Sequence, residues 1–315
     1  MKSRVRNQTG VLAIALFAPI LSIACGYGPT LKTFEDECEL ANPDMSLNIQ
    51  LPRGDIEVSG DLPEGTRIVT GTLEVYDRGV SGWTLEPASL EDITFNLSGS
   101  GDSLRVELSD EAYKPNFYYV LKVHVPEDYM FYSTSAQQPN MIKTDEGEIT
   151  VMDIRGGDMG HRDFEIQAGA PMGMFSHPPM TIKNVDGIIL AGAYGPMTVS
   201  DCRAISAIFS SGSGDQLDLT LGNIAITEDA LIHGGNGGTT IRLSRSSNFT
   251  FYNEIGEVNA FAPRGVVNKG DPVISGPDDV EYKFLPKQRI MTGNGTIGTF
   301  DVYVLDSRIV YELYD

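Results

Sequence analysis

Met172, Met174, His177 and Met180 fall close together in the chain. Thioether and imidazole ligands suit Cu(I), so this segment is a candidate for copper handling. Eight of the 11 methionines lie between residues 130 and 197. Methionine also fills irregular gaps in cores, and plain packing explains the same cluster. The four histidines, His124, His161, His177 and His233, show neither HxxxH nor HxH spacing. Carboxylate pairs such as Glu146 with Glu148, or Asp153 with Asp158, are the residue types of a glycosidase. In a chain this rich in acids such pairs also arise without chemistry. No Gly-x-Ser-x-Gly elbow, P-loop or dinucleotide fingerprint occurs. The expectation is therefore no catalytic residue, no metal site and no cofactor.

Leu21-Ser22-Ile23-Ala24-Cys25 ends an apolar stretch that runs from Val11 to Ala24, behind a basic head of Lys2, Arg4 and Arg6. Such a stretch is too short to span a bilayer and has the length of a signal-peptide core. The motif resembles a bacterial lipobox, which implies cleavage after residue 24 and lipidation (palmitate-type acylation) of Cys25. Gly26 follows where Asp would signal inner-membrane retention in enteric bacteria, so the analogy favours the outer membrane. An ordinary secretory signal is the alternative. Beyond Cys25 there remain Cys38 and Cys202. An exported compartment permits them to pair, whereas separate thiols, one free and one buried, are the rival reading.

The chain carries 43 acidic against 23 basic side chains, a formal net charge of −20. Nucleic acid is excluded as a partner, because a phosphate backbone needs a basic footprint. No later segment has 18 consecutive apolar residues, so membrane contact is expected through the lipid anchor alone.

Positioning these residues falls to short strands. Residues 25–45 read as an acidic tether without a clear period. From Ser46 apolar residues alternate: Leu47, Ile49 and Leu51; Ile56 and Val58; Leu73 and Val75; Leu104, Val106 and Leu108; then Tyr119, Leu121, Val123 and Val125 before Pro126. Period-two alternation is the signature of half-buried strands, and no helical period competes with it. The expectation is an all-β domain over 46–315. Ile142–Thr150 can be laid over Ile182–Leu190, with weaker copies starting at Gly222, Gly256 and Gly295. The clearest repeats span 140–300, with glycines at spacings of 34–40 residues. Repeated units that cannot bury their apolar faces alone stack on one another. This favours a right-handed β-solenoid-like stack with Gly corners; an antiparallel β-sandwich is the alternative.

The Val123-His124-Val125-Pro126-Glu127 step and the Gly-acidic-aliphatic segments at Gly147, Gly187, Gly222 and Gly256 resemble the bacterial putative adhesin domains. The resemblance covers roughly residues 46–315, with a departure between Arg155 and Pro179. It implies a non-catalytic module at the cell envelope, lipid-anchored here through Cys25, with an unidentified protein or glycan as ligand. A polysaccharide-active β-helix enzyme and an envelope copper-handling protein are the alternatives.

Overall fold

The computed structural model describes residues 29–40, 46–78, 89–100, 103–114, 116–129, 140–155, 163–168, 178–211, 217–226, 229–234, 239–244, 250–253, 258–261, 267–268, 281–284, 289–291, 299–304 and 309–314. Among the described residues no α-helix occurs, only two 3-10 turns at Leu90–Asp92 and Asp110–Tyr113. The rest is strand. The first eight are β1 (Thr30–Glu39), β2 (Ser46–Leu51), β3 (Gly54–Leu62), β4 (Ile68–Asp77), β5 (Phe95–Ser100), β6 (Ser103–Leu108), β7 (Phe117–Pro126) and β8 (Asn140–Thr144). Next come β9 (Ile149–Ile154), β10 (Asp163–Ala168), β11 (Met180–Ala193), β12 (Met197–Ser200), β13 (Arg203–Ser211), β14 (Leu217–Gly222), β15 (Ala225–Ile226) and β16 (Asp229–Gly234). The last are β17 (Thr239–Ser244), β18 (Thr250–Asn253), β19 (Val258–Phe261), β20 (Val267–Asn268), β21 (Glu281–Phe284), β22 (Arg289–Met291), β23 (Thr299–Val304) and β24 (Ile309–Tyr314).

Two sheets of mixed orientation share one apolar core. In the first sheet the spatial order is β1, β4, β7, β3, β9, the start of β11, β12, β14, β17, β24, β19, β21. In the second it is β5, β6, β2, β8, β10, the end of β11, β13, β16, β23, β18, β22, β20. Central pairs are parallel and the outermost are antiparallel. The chain thus alternates between sheets, leaving one strand in each per tier. Two tiers are out of sequence. β2–β3 lies between β6–β7 and β8–β9, and β23–β24 lies between β16–β17 and β18–β19.

Inward side chains stack in register from tier to tier. Leu73, Leu121, Ile56, Ile149, Met180, Met197, Leu219 and Ile241 form one such row across the first sheet, all essentially inaccessible. Each contributes about 1.5–3 kcal/mol on burial. The alternation read at Leu47 to Leu51 and at Tyr119 to Val125 corresponds to β2 and β7, with those apolar residues buried.

Two expectations differ from the structure. Thr30–Glu39, expected within a tether, is the ten-residue strand β1, paired antiparallel to β4. Its half-buried positions are Lys32, Phe34, Asp36 and Cys38, so alternation is present but hardly apolar. The overlay of Ile142–Thr150 on Ile182–Leu190 is half a tier out of phase. Ile142 stacks on Ile166 in the second sheet, whereas Ile182 stacks on Val151 and Val199 in the first. The recurring feature lies at the first-to-second-sheet corner. Asp153, Asn184, Asp201 and Asn223 all adopt positive φ, between 51 and 59°. Each is followed by a buried residue: Ile154, Val185, Cys202 or Ile224. Asn and Asp tolerate this left-handed conformation because a short polar side chain can bond locally. Here Asn184 Nδ2 donates to Asp153 Oδ1 at 2.7 Å and Asn223 Nδ2 to Asp201 Oδ1 at 2.9 Å.

Candidate functional site

A polar cluster lies at the corner that leads into β3 and β9. Gly54 and Gly147 start these turns with φ of +142° and +139°, which favours glycine. Gly54 N–H donates to Glu146 O at 2.5 Å, and the buried Thr144 hydroxyl donates to Gly54 O at 2.9 Å. That backbone lattice brings Arg53, Asp55, Glu146 and Glu148 together from two tiers. Arg78 Nη2 donates to Glu146 Oε2 at 2.7 Å, and Arg53 Nε lies 3.6 Å from Glu146 Oε1. Arg53 Nη1 also donates to Lys114 O at 3.3 Å. Asp55 Oδ1 accepts from the Tyr118 hydroxyl at 2.6 Å and from Glu148 N–H at 2.8 Å. Burial, and secondly the Asp55 carboxylate, hold the Glu148 carboxyl above its ordinary value. One carboxylate held between two guanidinium groups and one carboxyl shifted upward beside a second carboxylate are thus within one corner.

A second cluster joins Ser59, Asp61 and His124 on the outer side of β3 and β7. Ser59 and His124 are in-register neighbours of the parallel β3–β7 pair. His124 Nδ1 lies 2.8 Å from Asp61 Oδ2 and 3.1 Å from Ser59 Oγ. The three residue types are those of a serine hydrolase, but the geometry is not. A relay needs serine on one ring nitrogen and the carboxylate on the other. Here both partners share Nδ1, so Asp61 does not orient the ring to take the Ser59 proton on the opposite nitrogen.

The outer face of the first sheet carries a regular row. Glu57, Thr150, Thr181, Thr198, Thr220 and Arg242 are successive in-register neighbours on β3, β9, β11, β12, β14 and β17. All six are half-exposed. Strand spacing sets the hydroxyl-bearing residues about 4.8 Å apart. Arg242 is ion-paired with Asp218 beside the row.

The sequence-derived site residues fall as follows. Cys25 and the whole 1–24 segment lie outside the described residues, as do Met172, Met174, His177 and Asp158. Met180 is a core residue in the stacked row and 1% exposed. Cys38 and Cys202 are both free thiols, so the disulfide reading is corrected. β1 and β12 are six strand-to-strand steps apart in the first sheet. At about 4.8 Å per step they are far beyond the roughly 7 Å limit for bridging Cα atoms. Cys202 is buried at the left-handed corner, its Sγ 3.1 Å from Ser200 O, and burial pushes its thiol up to about 12. Glu146 and Glu148, read as a candidate acid pair, do lie together. Their partners Arg53, Asp55, Arg78 and Tyr118 were not singled out, since no local motif links them. Among the described residues no group of three or more His, Cys, Asp or Glu is placed to hold a metal ion.

No family model and no curated protein matches the chain. Several solved structures are similar. A putative cell adhesion protein from Clostridium sporogenes is 14% identical, covering 90% of this chain and 100% of its own, at a TM-score of 0.28. A putative adhesin from Bacteroides fragilis is 10% identical over 90% of this chain and 98% of its own, at 0.32. One from Parabacteroides distasonis is 8% identical over 89% and 97%, at 0.31.

Proposed function

We propose that the chain is a non-catalytic binding or scaffold module of the bacterial cell envelope, held by a lipid on Cys25 and built as a right-handed β-solenoid-like stack. The observation that carries the binding role is the threonine row on the first sheet. Thr150, Thr181, Thr198 and Thr220 present small hydroxyls at one strand spacing on in-register tiers. Such a face meets an extended glycan or protein surface at many weak points, and needs no cofactor. The test is binding to arrayed glycans and envelope proteins, with Thr181→Arg and Thr198→Arg as disrupting variants. Loss of capture at unchanged thermal stability supports the reading; unchanged capture by both variants, or none by the wild type, defeats it. Protease shaving of intact cells, with Cys25→Ala as the release control, tests the address.

The polysaccharide-active alternative is favoured by the Asp55–Glu148 corner with Arg53 and Arg78 beside it. Its test is the appearance of new reducing ends or unsaturated products from a polysaccharide panel, abolished in Glu148→Gln. No product from any polymer removes it.

A further inference from the structure

The first sheet ends at β1. Among the described residues β4 is the strand that pairs with it, leaving the other edge of a ten-residue strand unpaired. Edges are usually kept short, broken by bulges and prolines, or guarded by charged side chains, and past Lys32 β1 has the charges alone. β1 is long, has no proline, and departs from regular register only between Thr30 and Lys32. Its inward side chains are already engaged. Lys32 Nζ donates to Leu90 O at 3.3 Å, and Leu97 N–H of β5 donates to Asp36 Oδ2 at 2.7 Å. β1 therefore covers the edge of the second sheet, while its own outer edge is unpaired among the described residues.

The outward side chains set the sign of any partner. Leu31, Thr33, Glu35, Glu37 and Glu39 are exposed along one face. None of the three glutamates forms an ion pair among the described residues. A groove of about 420 Å³ beside Glu37, Cys38 and Glu39 is completed by Thr66, Arg67 and Ile68. Ile68 is 43% exposed and Leu31 40%. A second copy of β1 would bring glutamate against glutamate, which opposes self-pairing. An added strand with cations at alternate positions would set each against a glutamate, with main-chain bonds supplying affinity.

We propose that the free edge of β1 is a docking site for an extended basic peptide, added to the first sheet as one more strand. This surface is separate from the threonine row, and the two stand or fall independently. The experiment uses the full chain and a ten-residue peptide of alternating lysine and threonine. Two further peptides carry backbone N-methyl groups, one on every lysine, the other on every threonine. Strand addition engages the amides of only one set. One methylated peptide therefore loses at least tenfold in affinity while the other stays within about threefold of the parent. The Glu35→Lys/Glu37→Lys/Glu39→Lys variant also loses at least tenfold, with its thermal unfolding unchanged. Equal binding by the parent and both methylated peptides would mean charge attraction alone and overturn the proposal. So would absence of binding, or full hydrogen-exchange protection of every β1 amide in the isolated protein.

Discussion

The carbonyl oxygen of Gly54 sits 2.1 Å from where the first side-chain atom of residue 147 would stand. Two consecutive tiers therefore touch backbone to backbone at this corner. Gly147→Ala combines that overlap with a strained φ of +139°. It should cost about 3 kcal/mol or more in unfolding experiments. Gly65 is the control, since its φ is +76° but nothing lies within 4 Å of the place an alanine methyl would take. Gly65→Ala should cost about 1 kcal/mol. Equal losses would show that strain, and not tier contact, governs the corner.

The left-handed Asn and Asp positions separate conformation from bonding. Asn184 donates to Asp153 and accepts from Arg155 Nε. Asn184→Gly keeps the conformation and loses the bonds, at about 1 kcal/mol. Asn184→Ala loses both, at about 2 kcal/mol. Chemical denaturation resolves the two values, and identical values would remove the backbone term.

These corners also explain what could be read beforehand. Strands such as β2 and β7 are legible because one face is apolar and the other is not. β1 is illegible for the same reason: its inward set contains Lys32 and Asp36, which cap a neighbouring edge and do not fill a core. The four corner residues share a local pattern, an Asx followed by an apolar residue, in Asp153-Ile154, Asn184-Val185, Asp201-Cys202 and Asn223-Ile224, with a charged residue next in the first three. Their separations of 31, 17 and 22 residues are too uneven for a search by fixed period. The acidic corner was half visible. Glu146 and Glu148 are close in sequence, whereas Arg78 and Asp55 arrive from 68 and 93 residues away through strand pairing.

The two thiols should behave differently. Cys202 is 1% exposed with its thiol pushed up to about 12 by burial, so thiolate is scarce at neutral pH. Alkylation of the native protein should leave Cys202 unmodified, with reaction appearing only as denaturant unfolds the stack. Cys38 is half-exposed on β1, and its thiol too is raised, chiefly by burial. It should react slowly in the native state. Mass spectrometry of the oxidised protein should find no Cys38–Cys202 bridge.

Glu148 gives a pH signature. Its folded value is raised, so the folded chain holds this proton more tightly than the unfolded chain does. The stabilisation is complete below the unfolded value of about 4.3 and is lost as pH rises through the folded value. Glu148→Gln should therefore be more stable than wild type at neutral pH and show no such gain in acid. Thermal melts across that range decide it, and a gain confined to low pH would reverse the assignment.

Asp186 is 3% exposed and bonded to Arg203, whose side chain is 62% exposed. Arg203→Ala leaves a buried carboxylate without its cation and should cost about 1–3 kcal/mol. The double change Arg203→Ala/Asp186→Asn should recover part of that loss, because the stranded charge is gone. An undiminished loss in the double variant would place the effect elsewhere.

The displaced tier at β23–β24 dictates an order of assembly. β16–β17 and β18–β19 follow one another along the chain. β16–β17 stacks on β13 and β14, but its outer edge, and the parallel edge of β18–β19, have no partner among the described residues until β23–β24 exists, as Ile232 against Val302 and Phe251 against Phe300 illustrate. A growing chain can zip its earlier tiers as they appear, but here it must hold two open strand edges and wait. Such a delay leaves unpaired edges available to other chains, so crowding and slow synthesis should harm this end of the molecule first. Closure at β23–β24 acts as a late latch, made from contacts that span a long stretch of sequence and are slow to find.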